Sequence, residues 1–259
     1  MPGRGACAFP VWMTEVSNAL DWSEGWSAPA KLNLFLHITG RRDDGYHLLQ
    51  TIFQLLDWGD TLDFRLREDG RIQRVNQVEG VPETEDLTVR AALALQRQSG
   101  TSVGADIRLH KVLPMGGGVG GGSSDAATTL LALNLLWGLH WGVDELADLG
   151  ASLGADIPVF VRGETAWGEG IGEVLSPLEL PERWYLVVHP GVHISTAKLF
   201  QSKCLTRDKP VVIIADFIDG SCSNVFEPVA AQLYPEVQAV LDWLSEHAGR
   251  QSRMTGTGA

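Results

Sequence analysis

Cysteine is scarce: the 259 residues hold three, Cys7, Cys204 and Cys222, an odd number with no metal-ligand spacing. That argues against a disulfide framework or a structural zinc site and suits a reducing cytosol. Positive charge is also short. Twenty Lys+Arg stand against 32 Asp+Glu, a formal charge of −12, which speaks against sequence-independent attraction to nucleic acid or to an anionic membrane. An anionic ligand therefore needs a local positive site. No apolar run reaches the roughly 18 residues of a membrane helix; the most apolar helical stretch, Ala126 to Trp137, is far shorter. Residues 1–27 have neither the apolar core of a signal peptide nor the Arg-rich character of a transit peptide, and read as a loose, disordered extension. Internal repeats are absent.

What is there is an ordinary globular composition, 44% hydrophobic and 20% charged, which predicts a folded chain with a substantial core. The run Ala30 to Thr39 alternates like a half-buried strand, and RRDDG supplies a turn before YHLLQTIFQLLD. GDTLDFRL and ADIRLHKVLP read as strands, and the segment from Asp86 to Gln98 reads as a helix between them. A helix from Ser124 to Trp137 follows a glycine-rich turn, and Asp144 opens another that runs through Leu153. Strand, loop and strand are expected next. ERWYLVVHPG reads as a strong buried strand, residues 195 to 203 as a short helix, and Glu227 to His247 as a long helix interrupted near Pro235. The order implies an α+β protein of two unequal halves, 28–175 and 176–259.

The stretch PMGGGVGGGSSDAA places six glycines among the seven residues from Gly116 to Gly122. Such density suits backbone that approaches a ligand closely or adopts positive φ. Unobstructed amides ahead of a helix N-terminus form a cradle for a di- or triphosphate, which is how so acidic a chain can bind ATP. A flexible linker is the bland alternative, although linkers rarely run unbroken into an apolar helix. Walker A is excluded, because Ser123 follows Gly122 where that motif requires lysine. A dinucleotide fingerprint fits poorly, since Asp144 and Glu145 start a helix where a Rossmann fold needs a strand end. Lys31 and Asn33, two apart on a strand, share one face and can meet a phosphate and a substrate oxygen, or Lys31 is a surface lysine at a strand start. Asp156, past a helix end and before Pro158, suits a general base or a turn-forming aspartate.

Taken together, PAKLNL, PMGGGVGGGSSDAA and RMTGTGA resemble, in order, the three motifs of the GHMP kinase superfamily. The long stretches PAKLNLFLHITGRRDDGYHLLQT and LGADIPVFVRG are most similar to its branch acting on a cytidine diphosphate-linked methylerythritol in the non-mevalonate isoprenoid pathway. The resemblance implies the two-domain GHMP kinase fold, with the active-site cleft between the halves, and ATP-dependent phosphorylation of the substrate's 2-hydroxyl, with magnesium. It implies Asp156 as catalytic base and Lys31 as its partner on the γ-phosphate. Pro114, Gly116, Gly117, Gly118, Gly120, Gly121, Gly122, Ser123 and Ser124 would wrap the nucleotide phosphates, a serine hydroxyl touching phosphate or magnesium. Lys111 would lie near the nucleotide and Asp125 would cap the helix or act through the metal. Asn33 would orient the methylerythritol part, Tyr46 and Phe200 would sandwich the cytosine, His47 would bond its edge, and Thr255 and Gly256 would close on the substrate phosphates. Arg41, Arg42 and Arg162 read as solvated surface. Other GHMP substrates such as mevalonate, homoserine or a sugar have no cytosine for the GYH triplet, and a non-catalytic nucleotide-binding module is the reading from a different class. No membrane or nucleic-acid partner is expected, and the chain should be a monomer or weak homodimer. Because Ala259 falls inside the third motif, the second domain is expected to be incomplete.

Overall fold

A computed structural model describes residues 21–248 and 252–258. Most of the N-terminal extension, Cys7 and Ala259 lie outside the described residues. The chain forms two compact units that interleave: one takes the described chain up to Pro29 with Trp58–Val112 and Gly122–Glu164, the other Ala30–Asp57, Leu113–Gly121 and the chain from Thr165. They do not follow a single cut after residue 175, because the long strands β1 (Ser23–Arg41) and β2 (His47–Arg67) contribute residues to both. No helix of the described residues is long and apolar enough to cross a membrane.

In the first unit, β3 (Ile72–Arg74) runs parallel to β4 (Gly104–His110), and β4 pairs antiparallel with the end of β2, from Thr61 opposite His110 to Arg67 opposite Gly104. Leu62 and Phe64 of β2 and Ala105, Ile107 and Leu109 of β4 alternate into the core, as period two requires. β1 begins at Ser23, inside the segment read as a disordered extension. Aromatic packing gives that stretch its place: Trp26 meets Phe64 edge-on at 6.2 Å, and the guanidiniums of Arg65 and Arg108 lie against Trp22.

Four helices complete this unit. α1 (Leu87–Ser99) starts at Asp86, whose carboxylate accepts from the Thr88 amide and hydroxyl at 2.8 and 2.7 Å, and ends at left-handed Gly100. α2 (Gly121–Leu136) starts three residues before the expected Ser124, among the glycines themselves. α3 (Val143–Ala151) is opened by Gly142, whose amide donates to Glu145 Oε2 at 2.8 Å, rather than by Asp144. α4 (Ile157–Arg162) falls where a strand was expected. Pro158 sits in its first turn, where a missing N–H costs nothing, so the proline starts a helix here instead of blocking one.

In the second unit, Thr51–Phe53 of β2 pair antiparallel with β5 (Ala166–Glu169), and β5 with β6 (Val174–Pro177). α5 (Thr196–Gln201), α6 (Ile214–Ile218), α7 (Glu227–Leu233) and α8 (Pro235–His247) follow, the last two divided at Pro235 as the sequence implies. The even residues of β1 feed apolar clusters: Ala30 and Leu32 pack with Leu113 and Val119, while Leu36 and Ile38 pack with Leu199, Phe226, Val229 and Met254. The odd residues Lys31, Asn33, Phe35 and His37 are buried as well. β1 is thus covered on both faces rather than half-buried, and its polar row must find partners inside the protein. ERWYLVVHPG is not a strand. Residues 181–190 have no regular secondary structure, Trp184 is fully exposed, and Tyr185 and Val187 border a cavity of about 540 Å³ walled also by α8. A β-forming pattern becomes a strand only where a neighbour supplies the ladder, and among the described residues none pairs with it.

Arg74 and Asp86, each with a side chain 5% exposed, pair at 2.8 Å beside the α1 cap. Asp86→Ala should cost about 3–5 kcal/mol in urea unfolding, because it strands a buried guanidinium and removes the cap. Asp86→Asn, which keeps the cap acceptor, should cost less; equal losses in the two variants would refute this division of roles.

Candidate active site

In the second unit the glycine loop is packed against the third motif, backbone to backbone. A Cβ on Gly118, whose φ is +69°, would stand 2.8 Å from Thr255 O and from Gly258 N; one on Gly258 would stand 2.3 Å from Gly116 O. Glycine is therefore required here for two chain segments to touch, independently of any ligand. Asn224 fixes the 254–256 turn, donating through Nδ2 to Met254 O and Gly256 O at 2.9 and 2.8 Å, and Glu227 accepts from the Met254 amide. Neither residue carries a sequence signal for this task.

Lys31 and Asn33 share one face of β1 as their spacing implies. The Lys31 ammonium donates to Asn33 Oδ1 at 2.5 Å and to Gly118 O at 3.0 Å, and its backbone amide bonds Val119 O at 2.9 Å. Asn33 is engaged at every polar atom of its side chain: Nδ2 donates to Thr51 Oγ1 at 2.9 Å, while its backbone amide donates to Thr255 Oγ1 at 2.7 Å. Thr51 in turn donates to Phe35 O. Lys31 and Asn33 of the buried row are met by the glycine loop, by Thr51 and by the third motif, while His37 accepts from the Ser223 amide through Nε2. Lys31, Asn33, Gly118, Thr255 and Gly256 are thereby brought together.

Tyr46 is 61% exposed, whereas the His47 imidazole stacks on Phe200 at 4.9 Å and 29°, and Phe200 meets Phe226 edge-on. Burial, then Arg207 and Arg41, lower the His47 pKa, so the ring is neutral near pH 7, and its Nε2 is buried without a hydrogen-bond partner. Phe200 therefore carries His47 on its face, an arrangement absent from the expected Tyr46–Phe200 sandwich. The three arginines read as surface are in local pairs: Arg41 with Gly45 O, Arg42 with Asp44, Arg162 with Asp144.

In the first unit, the start of α2 holds Ser123, Ser124 and Asp125. Ser124 Oγ and Asp125 Oδ1 are buried without hydrogen-bond partners among the described residues. Asp125 lies in the second turn of α2, so it does not cap the helix; its Oδ2 accepts from Lys111 at 2.9 Å, and Lys111 also donates to Asp60 at 2.6 Å. Burial pushes the Asp125 carboxyl up to about 7, against the pull of Lys111; for Lys111 burial acts downward, but the two carboxylates outweigh it and the net shift is upward. Asp60 escaped the sequence reading, since nothing in GDTLDF marks that carboxylate as buried. Asp156 stands at the start of α4 and its side chain makes no capping bond. A Cβ on Gly154, two residues earlier, would lie 4.0 Å from Ser123 Oγ, which puts that turn beside the start of α2. No group of three or more His, Cys, Asp or Glu among the described residues could hold a metal ion.

A carboxyl whose folded pKa is raised from 3.8 to about 7 destabilises the fold as it is forced to ionise: the cost is absent below pH 4, grows toward pH 7 and is complete above it. The raised Lys111 value acts only in alkali and leaves this window untouched. Between pH 5 and 8, therefore, the wild type should lose about 1–3 kcal/mol relative to Asp125→Asn in chemical unfolding. A difference that stays constant with pH would contradict this.

Residues 86–164 match the family model described as GHMP kinases N terminal domain. The chain is 58% identical over 237 residues to the 4-diphosphocytidyl-2-C-methyl-D-erythritol kinase of Cupriavidus necator, covering 90% of this chain and 81% of that protein. It is 58% identical over 235 residues to the enzyme of the same name from Azoarcus sp., covering 91% and 83%. A solved 4-(cytidine 5'-diphospho)-2C-methyl-D-erythritol kinase superposes with a TM-score of 0.75 at 32% identity, over 92% of this chain and 88% of that one. A homoserine kinase from Cytophaga hutchinsonii, 16% identical with a TM-score of 0.62 over 92% and 83%, shares the fold. With the ordered motifs and identity of this extent, the chain belongs to the 4-diphosphocytidyl-2-C-methyl-D-erythritol kinase family of GHMP kinases.

Proposed function

We propose that this protein transfers the γ-phosphoryl group of ATP to the 2-hydroxyl of 4-diphosphocytidyl-2-C-methyl-D-erythritol, giving the 2-phosphate and ADP in the non-mevalonate route to isoprenoid precursors. The observation that carries the reading is the Lys31 ammonium anchored on Gly118 O, a cation built into the loop whose amides suit phosphate oxygens.

In this reading Asp156 takes the proton of the 2-hydroxyl, the alkoxide oxygen bonds to the γ-phosphorus, and the bond from that phosphorus to the β-bridging oxygen breaks to release ADP. Phosphoryl transfer of this kind needs positioning and charge stabilisation above all. Lys31 stabilises the charge on the transferring group, and Asn33 with Thr51 holds Lys31 in place, so that Asn33 acts through the lysine. Gly116 to Ser124, with Pro114 at the entry, wrap the nucleotide phosphates through backbone N–H groups, and Thr255 and Gly256 meet the substrate's own phosphates. Exposed Tyr46 gives stacking area to the cytosine, Phe200 backs the His47 ring, and the unpartnered Nε2 of neutral His47 gives a hydrogen bond to the cytosine edge. Magnesium carried on the ATP phosphates would neutralise charge on the transferring group, and the hydroxyls of Ser123 and Ser124 at the start of α2 would meet that metal or the phosphates themselves. The free thiols of Cys204 and Cys222 and the charge of −12 support a cytosolic enzyme without membrane or nucleic-acid partners. It acts as a monomer or weak homodimer.

Protein mixed with ATP, magnesium and the cytidyl substrate should release ADP with the 2-phosphate; binding of ATP without turnover would refute the reading. Asp156→Asn should lower kcat by about 10²–10⁴ while ATP affinity by calorimetry stays near wild type. Unchanged turnover in that variant would remove Asp156 from the role of base. CMP and CDP should compete with the cytidyl substrate and not with ATP, and His47→Ala should raise KM for that substrate by about tenfold with KM for ATP unchanged. Absence of competition by CMP and CDP would point to a substrate without a cytosine.

A further inference from the structure

We infer that Lys111 is a positioning residue: with Asp60 it ties together the two ends of the glycine loop and so holds the start of α2 in place for the nucleotide. The inference rests on the reading of that loop as a phosphate cradle.

Ordering six glycines within seven residues carries a large entropic cost, and such a segment keeps a fixed path only if its ends are fixed. The side chain of Asp60, fully buried on β2, fixes the first end: its Oδ1 accepts from the Val112 amide at 2.5 Å and its Oδ2 from Lys111 Nζ at 2.6 Å. Lys111 fixes the second end, reaching across 14 positions of sequence to Asp125 Oδ2 in the second turn of α2. Asp125 Oδ1 has no hydrogen-bond partner among the described residues, and its other oxygen meets Lys111 beside the Asp60 carboxyl, so that the lysine joins the two acids. Two of the three ammonium protons thus point to protein carboxylates, and the lysine side chain is only 18% exposed. A cation placed in this way is built to brace the loop rather than to be presented to a ligand. The neighbouring Ser124 Oγ, buried and unpartnered, belongs to the same turn that the brace holds.

The test separates a brace from a direct nucleotide contact by changing Asp125 while Lys111 stays. Asp125→Leu keeps the Lys111–Asp60 pair but removes the acceptor on α2; Asp125→Asn keeps an acceptor oxygen for Lys111. Calorimetry with a non-hydrolysable ATP analogue should give affinity weakened by about tenfold or more for the leucine variant and near wild type for the asparagine variant. KM for the cytidyl alcohol should be unchanged in both. Amide hydrogen exchange without nucleotide should quicken over residues 112–124 in the leucine variant and not in the asparagine variant. Lys111→Met should reproduce the leucine phenotype; because it leaves two buried carboxylates unpaired and can fail to fold, the decision rests on Asp125. Analogue binding by Asp125→Leu at wild-type strength, or weakened binding without faster exchange over 112–124, would overturn the brace. A wild type that does not bind the analogue would instead defeat the kinase reading, while the exchange comparison would still judge the brace.

Discussion

A strand that carries an ammonium into the protein interior imposes conditions on everything around it. Lys31 is 3% exposed, and an ion so placed is tolerated only with oxygen acceptors at hydrogen-bond distance. Asn33 Oδ1 and Gly118 O are two of those acceptors, and each must itself be held. Thr51 holds the Asn33 amide, Thr255 takes the Asn33 backbone, and Gly118 is fixed by packing on the 255–258 turn. Three segments far apart in sequence are thereby bound into one cluster by the requirement to satisfy a single cation.

The glycine loop serves two masters in this arrangement. Its amides suit an anion, but its lack of side chains is also demanded by the third motif, whose backbone would be struck by a Cβ at 118, as the backbone at 116 would be by one at 258. Glycines in one motif explain glycines in the other, by steric necessity as well as by chemistry. At its ends the loop is tied by ionic contacts, Asp60 and Asp125 meeting at Lys111, so that rigidity is supplied by side chains where the backbone has none to give.

Much of this was readable along the chain. Period-two alternation marked β1 and β4, the segment from Asp86 to Gln98 was legible as the helix α1, Pro235 divided α7 from α8, and the i, i+2 spacing put Lys31 and Asn33 on one face. The failures share a cause. Pro158 opens a helix because its neighbours supply a first turn, and ERWYLVVHPG, for all its β-branched and aromatic residues, takes no ladder because no strand among the described residues pairs with it. Both outcomes depend on surroundings that a window of ten residues does not contain.

The site divides in the same way. Residue types and their order determined the chemistry at hand: a run of bare amides, a lysine and an asparagine on one strand face, an aspartate between a helix end and a proline, a tyrosine and a histidine after a turn. Only the folded chain decided what each of these touches. It stacked His47 on Phe200, gave the Asn33 amide to Lys31 and Thr51, drew Lys111 inward between two acids, and recruited Asp60, Thr51 and Asn224, which no motif marks. The reason is physical: a sequence fixes which donors, acceptors and charges exist and the period with which they face a side, while burial, which makes an unmet hydrogen bond costly, is a property of three-dimensional neighbours.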